Sequence, residues 1–173
     1  MDKMKYMDKV RKYFKKTSVA GINSISMLVG DKNYTYTLLN HLLKRGEINR
    51  IGKGYYTAHD DPSLIVYCLK PAYLGLQDAM SFHNIWEQET CPVVITTRKV
   101  RTGLREVFSS NVLVRRISQK YFFGYDFYKY GDFVFPISDV EKTFIDLVYF
   151  REIRKEIIRK FKKKVDIKKI NVY

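Results

Sequence analysis

Ten side chains between positions 32 and 53 have the types and spacing to engage a nucleic-acid duplex: Lys32, Asn33, Thr35, Tyr36, Thr37, Asn40, His41, Lys44, Arg50 and Lys53. An asparagine amide can pair with an adenine edge through its donor and its acceptor, and a threonine methyl can meet that of thymine. Tyrosine hydroxyls and lysine ammonium groups hold phosphates, which positions a protein on the duplex without reading its sequence. Eight of the ten accompany Leu38, Leu39, Leu42 and Leu43, which recur at helical spacing. A helix from about Asn33 to Lys44 would bury those leucines and turn the polar set outward. Gly46 follows where a left-handed cap is expected. Arg50 and Lys53 belong to Glu47–Thr57, which reads as two short strands around a Gly52-Lys53-Gly54 turn. The plain alternative is a solvated polar face on a small helical domain.

The elements that must position this set lie upstream. Tyr6, Val10, Tyr13 and Phe14 predict a helix over residues 2–16. After Gly21, Asn23 or Ser24 is an N-cap for a short helix through Ile25–Val29, which Gly30 closes. Three helices and a basic hairpin within residues 1–58 are the plan of a winged helix-turn-helix. Residues 1–57 carry twelve Lys and Arg against four acids, residues 58–150 ten against eleven, and residues 151–173 ten against three. The formal charge of +14 therefore sits at the two ends of the chain. Such clustering suits a phosphate backbone and predicts salt-dependent binding.

Residues 59–150 read as a second, α+β domain with a small antiparallel sheet. Pro62 opens a short apolar helix that ends before Pro71, and a further helix spans Gln77 to about Ile85. Val93–Thr97 and Val112–Ile117 are β-branched strands, and Phe123–Lys129 pairs with Phe133–Ile137 around Gly131-Asp132. Ser138 with Glu141 forms a capping box for a helix to about Phe150. The groups here that could support catalysis are His83, Glu87, Glu89, Asp139, Glu141 and Asp146. No metal-ligand spacing, phosphate loop or nucleophile elbow organises them, so neither an enzyme nor a cofactor is expected. Glu141 and Asp146 are five apart, too far around a helix to act readily as a pair. The aromatic run over 121–135 reads as the core of a twisted hairpin rather than a base-stacking platform. Residues 151–173 form a basic amphipathic helix and tail, with Ile153, Ile157, Ile158 and Phe161 on one side. That stripe would pack on the body of the protein or on a second subunit, leaving the lysines to extend a DNA footprint.

Composition narrows the class. Apolar residues make up 46% of the 173, enough for a buried core. The apolar runs are too short for a bilayer, and the first residues lack the apolar segment of a signal peptide. Cys68 and Cys91 are far apart and read as buried, reduced thiols. A cytoplasmic location is expected.

Several segments resemble one family. Leu42–Thr57 is similar to the helix and "R-G-x-hydrophobic-x-R, then G-x-G-x-Y" wing of the AbiEi-type antitoxins, also described as regulators of viral-defence systems. Ala72–Ala79 with His83, the strand at Val94–Thr97, and Pro136–Leu147 resemble later segments of that family, in its order. Asp139 stands where the family usually has proline, and Asp166–Tyr173 resembles the start of a continuation found in longer members. The resemblance implies a winged helix that represses its own operon at inverted repeats; a dimer is expected because repressors commonly match palindromic half-sites with their own two-fold axis. It also implies a second domain that counteracts a partner nucleotidyltransferase toxin.

Overall fold

The computed structural model describes residues 3–88 and 90–173. The protein has a mixed α+β fold and divides into two compact units, Met1–Cys68 and Leu69–Tyr173. The first unit runs α1 (Lys3–Phe14), β1 (Ala20–Gly21), α2 (Ile22–Val29), α3 (Lys32–Lys44), β2 (Asn49–Gly52) and β3 (Tyr55–Thr57), and closes on a 3₁₀ helix at Pro62–Cys68. Its strands form an antiparallel sheet in the order β1-β3-β2. Val10 and Phe14 of α1, Ile25 and Val29 of α2, and Leu38, Leu39 and Leu42 of α3 share one core with Ile48 and Tyr56. Burial of each such side chain contributes about 1.5–3 kcal/mol, so the three leucines of α3 fix its rotation firmly.

Two details of this unit differ from the sequence reading. Helix α2 starts at Ile22 with Gly21 as its cap, because β1 delivers the chain directly into the first turn; Asn23 and Ser24 are exposed within the helix. The segment after Pro62 is a 3₁₀ helix rather than an α-helix, begun by the Asp61 carboxylate accepting from the Ser63 amide at 2.8 Å.

The second unit holds a six-stranded sheet in the order β6-β7-β5-β4-β9-β8. Its strands are β4 (Ala72–Leu74), β5 (Val93–Thr96), β6 (Gly103–Val107), β7 (Ser110–Arg116), β8 (Tyr125–Tyr130) and β9 (Phe133–Ser138). The expected purely antiparallel sheet is corrected. β5 pairs parallel with β7, and β4 parallel with β9. Three-residue β4 was hidden because Tyr73-Leu-Gly-Leu also suits a helix approach, and β6 lacks an unbroken β-branched run. Helices α4 (Leu76–Phe82), α5 (Val140–Tyr149) and α6 (Lys155–Phe161) share a core with β5, joining Leu76, Met80, Val93, Ile95, Leu147, Ile157 and Phe161. A last short helix, α7, spans Ile167–Ile170.

Helix α5 is capped by Asp139, not by Ser138. The Asp139 carboxylate accepts from the Lys142 amide at 2.8 Å, while Ser138 is still in β9 with its hydroxyl on that of Thr143. Arg151, at φ 58°, ends this helix in a left-handed turn. Within the expected basic helix and tail over 151–173, the amphipathic helix is therefore shortened to Lys155–Phe161. Its stripe packs on the core of the second unit, with Ile157 and Phe161 buried.

The interior of α5 carries charge. Lys142 Nζ lies 2.5 Å from Asp146 Oδ1, both side chains are wholly buried, and the Tyr73 hydroxyl donates to Asp146 Oδ2 at 2.9 Å. The ammonium also sits 4.6 Å from the centre of the Phe123 ring. Burial pushes the Asp146 carboxyl up and the Lys142 ammonium down, and in each case the partner opposes the shift. Removing one partner leaves an uncompensated buried charge. Lys142→Met should therefore cost the second unit about 3–5 kcal/mol. Pairing it with Asp146→Asn, which removes both charges and keeps an acceptor for Tyr73, should recover most of that loss. Urea unfolding followed by the single tryptophan, Trp86, reads both variants; a single substitution as mild as the double would show the pair to be uncoupled.

Candidate nucleic-acid interface

The turn from α2 to α3 sets the interface. Gly30 adopts φ 86° at the end of α2, and its amide returns to the Ser26 carbonyl. Asp31 then caps α3, its carboxylate accepting from the Tyr34 amide at 2.7 Å. Two residues thus join the helices while the Gly30, Tyr34 and Thr35 amides stay paired. Tyr34 packs edge-on against Tyr6 of α1 with ring centres 6.0 Å apart, which ties the start of α3 to α1.

With Leu38, Leu39 and Leu42 inward, Lys32, Asn33, Tyr36, Thr37, Asn40 and Lys44 are exposed along the outward face. Among the described residues, no hydrogen bond or ion pair engages the side chains of Lys32, Asn33, Asn40 or Lys44. His41 is half-buried at the edge of this face. Thr35 is a correction: it is fully buried, its hydroxyl donating to the Asp31 carbonyl at 2.6 Å. It lies one turn from Leu38 and Leu39 and joins the inward stripe, so its short side chain serves the cap.

The hairpin carries the other two residues. Arg50 and Lys53 are exposed, Arg50 beside a register irregularity in β2 and Lys53 at the turn. The turn is anchored from below, because the Ile22 amide donates to the Gly54 carbonyl at 2.8 Å. Thr57, buried at the end of β3, donates its hydroxyl to the Ser18 carbonyl at 2.6 Å.

One positioning contact was not legible in the sequence. Arg11 of α1 makes a two-pronged contact with Glu47, at 2.6 and 2.9 Å, and Arg45 reaches the same carboxylate at 2.9 Å. The Arg11 guanidinium holds the Glu47 carboxyl below the usual carboxylate range. The sole acid between α3 and the hairpin is thereby neutralised, and the entry to β2 is fixed to α1. Thirty-six positions separate the partners, and no local pattern announces the pairing.

Most of the groups weighed for catalysis are engaged in holding the fold. His83 Nε2 meets the Ser138 carbonyl at 2.7 Å, Asp139 caps α5, and Asp146 is enclosed with Lys142. Glu141 accepts from the Asp166 amide at 2.9 Å and pairs with Lys169 at 3.1 Å. Glu87 is exposed, and Glu89 lies outside the described residues. Among the described residues, no three His, Cys, Asp or Glu side chains converge as a metal site. Cys68 is buried and Cys91 half-buried, and no disulfide joins them. No described helix is long and apolar enough to cross a membrane.

Gly54 tests how firmly the hairpin is held. Its φ of 76° suits glycine, and a Cβ there would meet Ile22 Cγ2 at 3.4 Å. Gly54→Ala should cost about 1–2 kcal/mol from the left-handed backbone alone. Hydrogen exchange at the Ile22 amide should quicken; exchange at the wild-type rate would mean that the turn is not anchored through this bond.

No protein-family model matches the chain, and no curated protein does either.

Proposed function

We propose that the first unit is a winged helix-turn-helix that binds duplex DNA, with α3 as the recognition helix and the β2–β3 hairpin as the wing. The observation that carries this reading is the outward face of α3, polar and basic along its length while its other face is sealed by leucines. Element order supports it: helix, short strand, two helices joined by a two-residue turn, then a hairpin. So do the dimensions of the major groove, which admits one helix. Lys32 and Lys44 hold phosphates at either end of α3, Asn33, Thr37 and Asn40 face base edges, and Tyr36 reaches either. Lys53 and Arg50 meet the adjacent backbone or minor groove. Thr35 has no part in contact.

The protein is, in this reading, a cytoplasmic transcriptional regulator, an autorepressor of a toxin–antitoxin or defence operon that acts as a homodimer on an inverted repeat. The operon type rests on the resemblance to AbiEi-type antitoxins. A second reading, an antitoxin that works by contact with a nucleotidyltransferase, is favoured by one feature of the second unit. Tyr121, Phe144, Ile145, Val148, Tyr149 and Ile170 line an apolar surface groove on which Val148 is 51% exposed.

Titration against the DNA upstream of the gene, with random duplex as competitor, tests the first reading. Asn40→Ala should cost about 1–3 kcal/mol on the preferred site only; equal loss on random duplex would make Asn40 a phosphate contact. Arg50→Ala with Lys53→Ala should weaken binding to all sequences and flatten the salt slope by about one to two ions. Unchanged affinity in that double variant would remove the hairpin from the interface. Co-expression with the neighbouring nucleotidyltransferase separates the second reading: relief of toxicity that survives the wing substitutions assigns the antitoxin role to the second unit.

A further inference from the structure

Two groups stand out among the lysines and arginines of the second unit. One group is consumed by the fold. Arg115 reaches Glu152 at 2.5 Å, Lys142 is buried on Asp146, and Lys169 bridges Asp139 and Glu141. Lys164 donates to the carbonyls of His83 and Asn84, clamping the chain after α6 onto the end of α4. Lys160 lies over the Trp86 ring at 5.2 Å.

The other group is Arg154, Lys155, Arg159, Lys162 and Lys163. All five are exposed within ten residues, and among the described residues none makes an ion pair. Glu156 is the one acid between them, and Glu87 is exposed beside Arg159 and Lys163 around a shallow depression. Like charges held this close repel one another, and a line of phosphates relieves that repulsion.

We propose that this face, α6 and the turn after it, is a phosphate-backbone contact for duplex DNA that belongs to the second unit and is separate from α3 and its hairpin. Burial decides between DNA and the other anionic surface, a lipid bilayer. An interfacial helix inserts an apolar stripe into the membrane. In α6 the stripe is spent inside the protein, Ile157 being 4% and Phe161 1% exposed. What α6 leaves fully exposed is cationic, as a contact that neutralises phosphates and reads no base requires.

The contact deepens the DNA-binding reading but does not depend on the wing. The full-length chain is titrated by fluorescence anisotropy against a random-sequence duplex over a range of salt, as wild type, as K155Q/R159Q/K162Q/K163Q, as R50A/K53A, and as the two sets combined. All four glutamine positions are exposed, so the fold is kept, which Trp86 fluorescence and thermal melting verify. The expected result is a salt slope lowered by about two to four in the glutamine variant, at roughly 0.9 per lost phosphate contact. Affinity at low salt should fall by about tenfold or more, and the combined variant should lose more than either set. Wild-type slope and affinity in the glutamine variant overturn the proposal and leave the wing reading standing. Loss in the glutamine variant with none in R50A/K53A keeps the proposal and removes the wing. Phosphatidylserine vesicles that bind the wild type but not the glutamine variant, with duplex binding unchanged, assign the face to a membrane and overturn it.

Discussion

The burial of narrow leucine and isoleucine stripes dictates where the charge of this protein can go. In α3 the inward positions 35, 38, 39 and 42 leave a single arc for Lys32, Asn33, Tyr36, Thr37, Asn40 and Lys44. In α6 the inward Ile157 and Phe161 leave Lys155 and Arg159 outside. Rotating α3 by a residue would turn Asn40 or His41 inward, and rotating α6 would turn Lys160 or Lys162 inward; either exposes a side chain worth about 1.5–3 kcal/mol. The basic faces are thus set by the apolar ones beneath them, and neither face need contribute to stability to be held in place.

The second unit tolerates one conspicuous exception. Lys142 is wholly buried in the first turn of α5, where Asp146, the Tyr73 hydroxyl and the Phe123 ring surround the pair. Desolvation of two ions costs several kcal/mol, so the pair is poor evidence of stability. Its geometric effect is clearer. Tyr73 comes from β4, Asp146 and Lys142 from α5, and the three fix that helix over the parallel β4–β9 junction. Asp146 accepts from the Lys142 ammonium at one oxygen and from the Tyr73 hydroxyl at the other, which ties α5 to β4 through both.

Much of this was legible in the chain because its periodicities are local. The stripe of α3, the Gly52-Lys53-Gly54 turn, the strands at 93 and 112, and the aromatic hairpin each announce themselves within a dozen residues. What escaped is non-local or too short. Three-residue β4 finds its partners at Thr96 and Ile137, far along the chain, and parallel pairing leaves no turn between the strands to mark it. Ser138 and Asp139 both suit an N-cap, and only the length of β9 decides that the serine is still in the sheet. Thr35 looked polar and outward because threonine in a lysine-rich segment suits a thymine methyl; its hydroxyl is claimed by the Asp31 carbonyl. The break at Arg151 carries no glycine, and the basic run past it masked a left-handed turn.

The same distinction sorts cations by use, which counting alone cannot do. A net charge of +14 treats Lys142, Lys164, Arg11 and Lys163 alike. In the folded protein the first is neutralised in the core, the second caps two carbonyls, and the third is committed to Glu47. The fourth faces water with no partner among the described residues. Electrostatic attraction to a polyanion scales with the uncommitted charges, because a cation already paired must give up one carboxylate to gain one phosphate. Counted that way, the near-neutral middle of the chain stays near-neutral, its Arg115 and Lys142 being paired. The outer face of α6 gathers five such uncommitted cations within ten residues, and the outward arc of α3 carries Lys32 and Lys44.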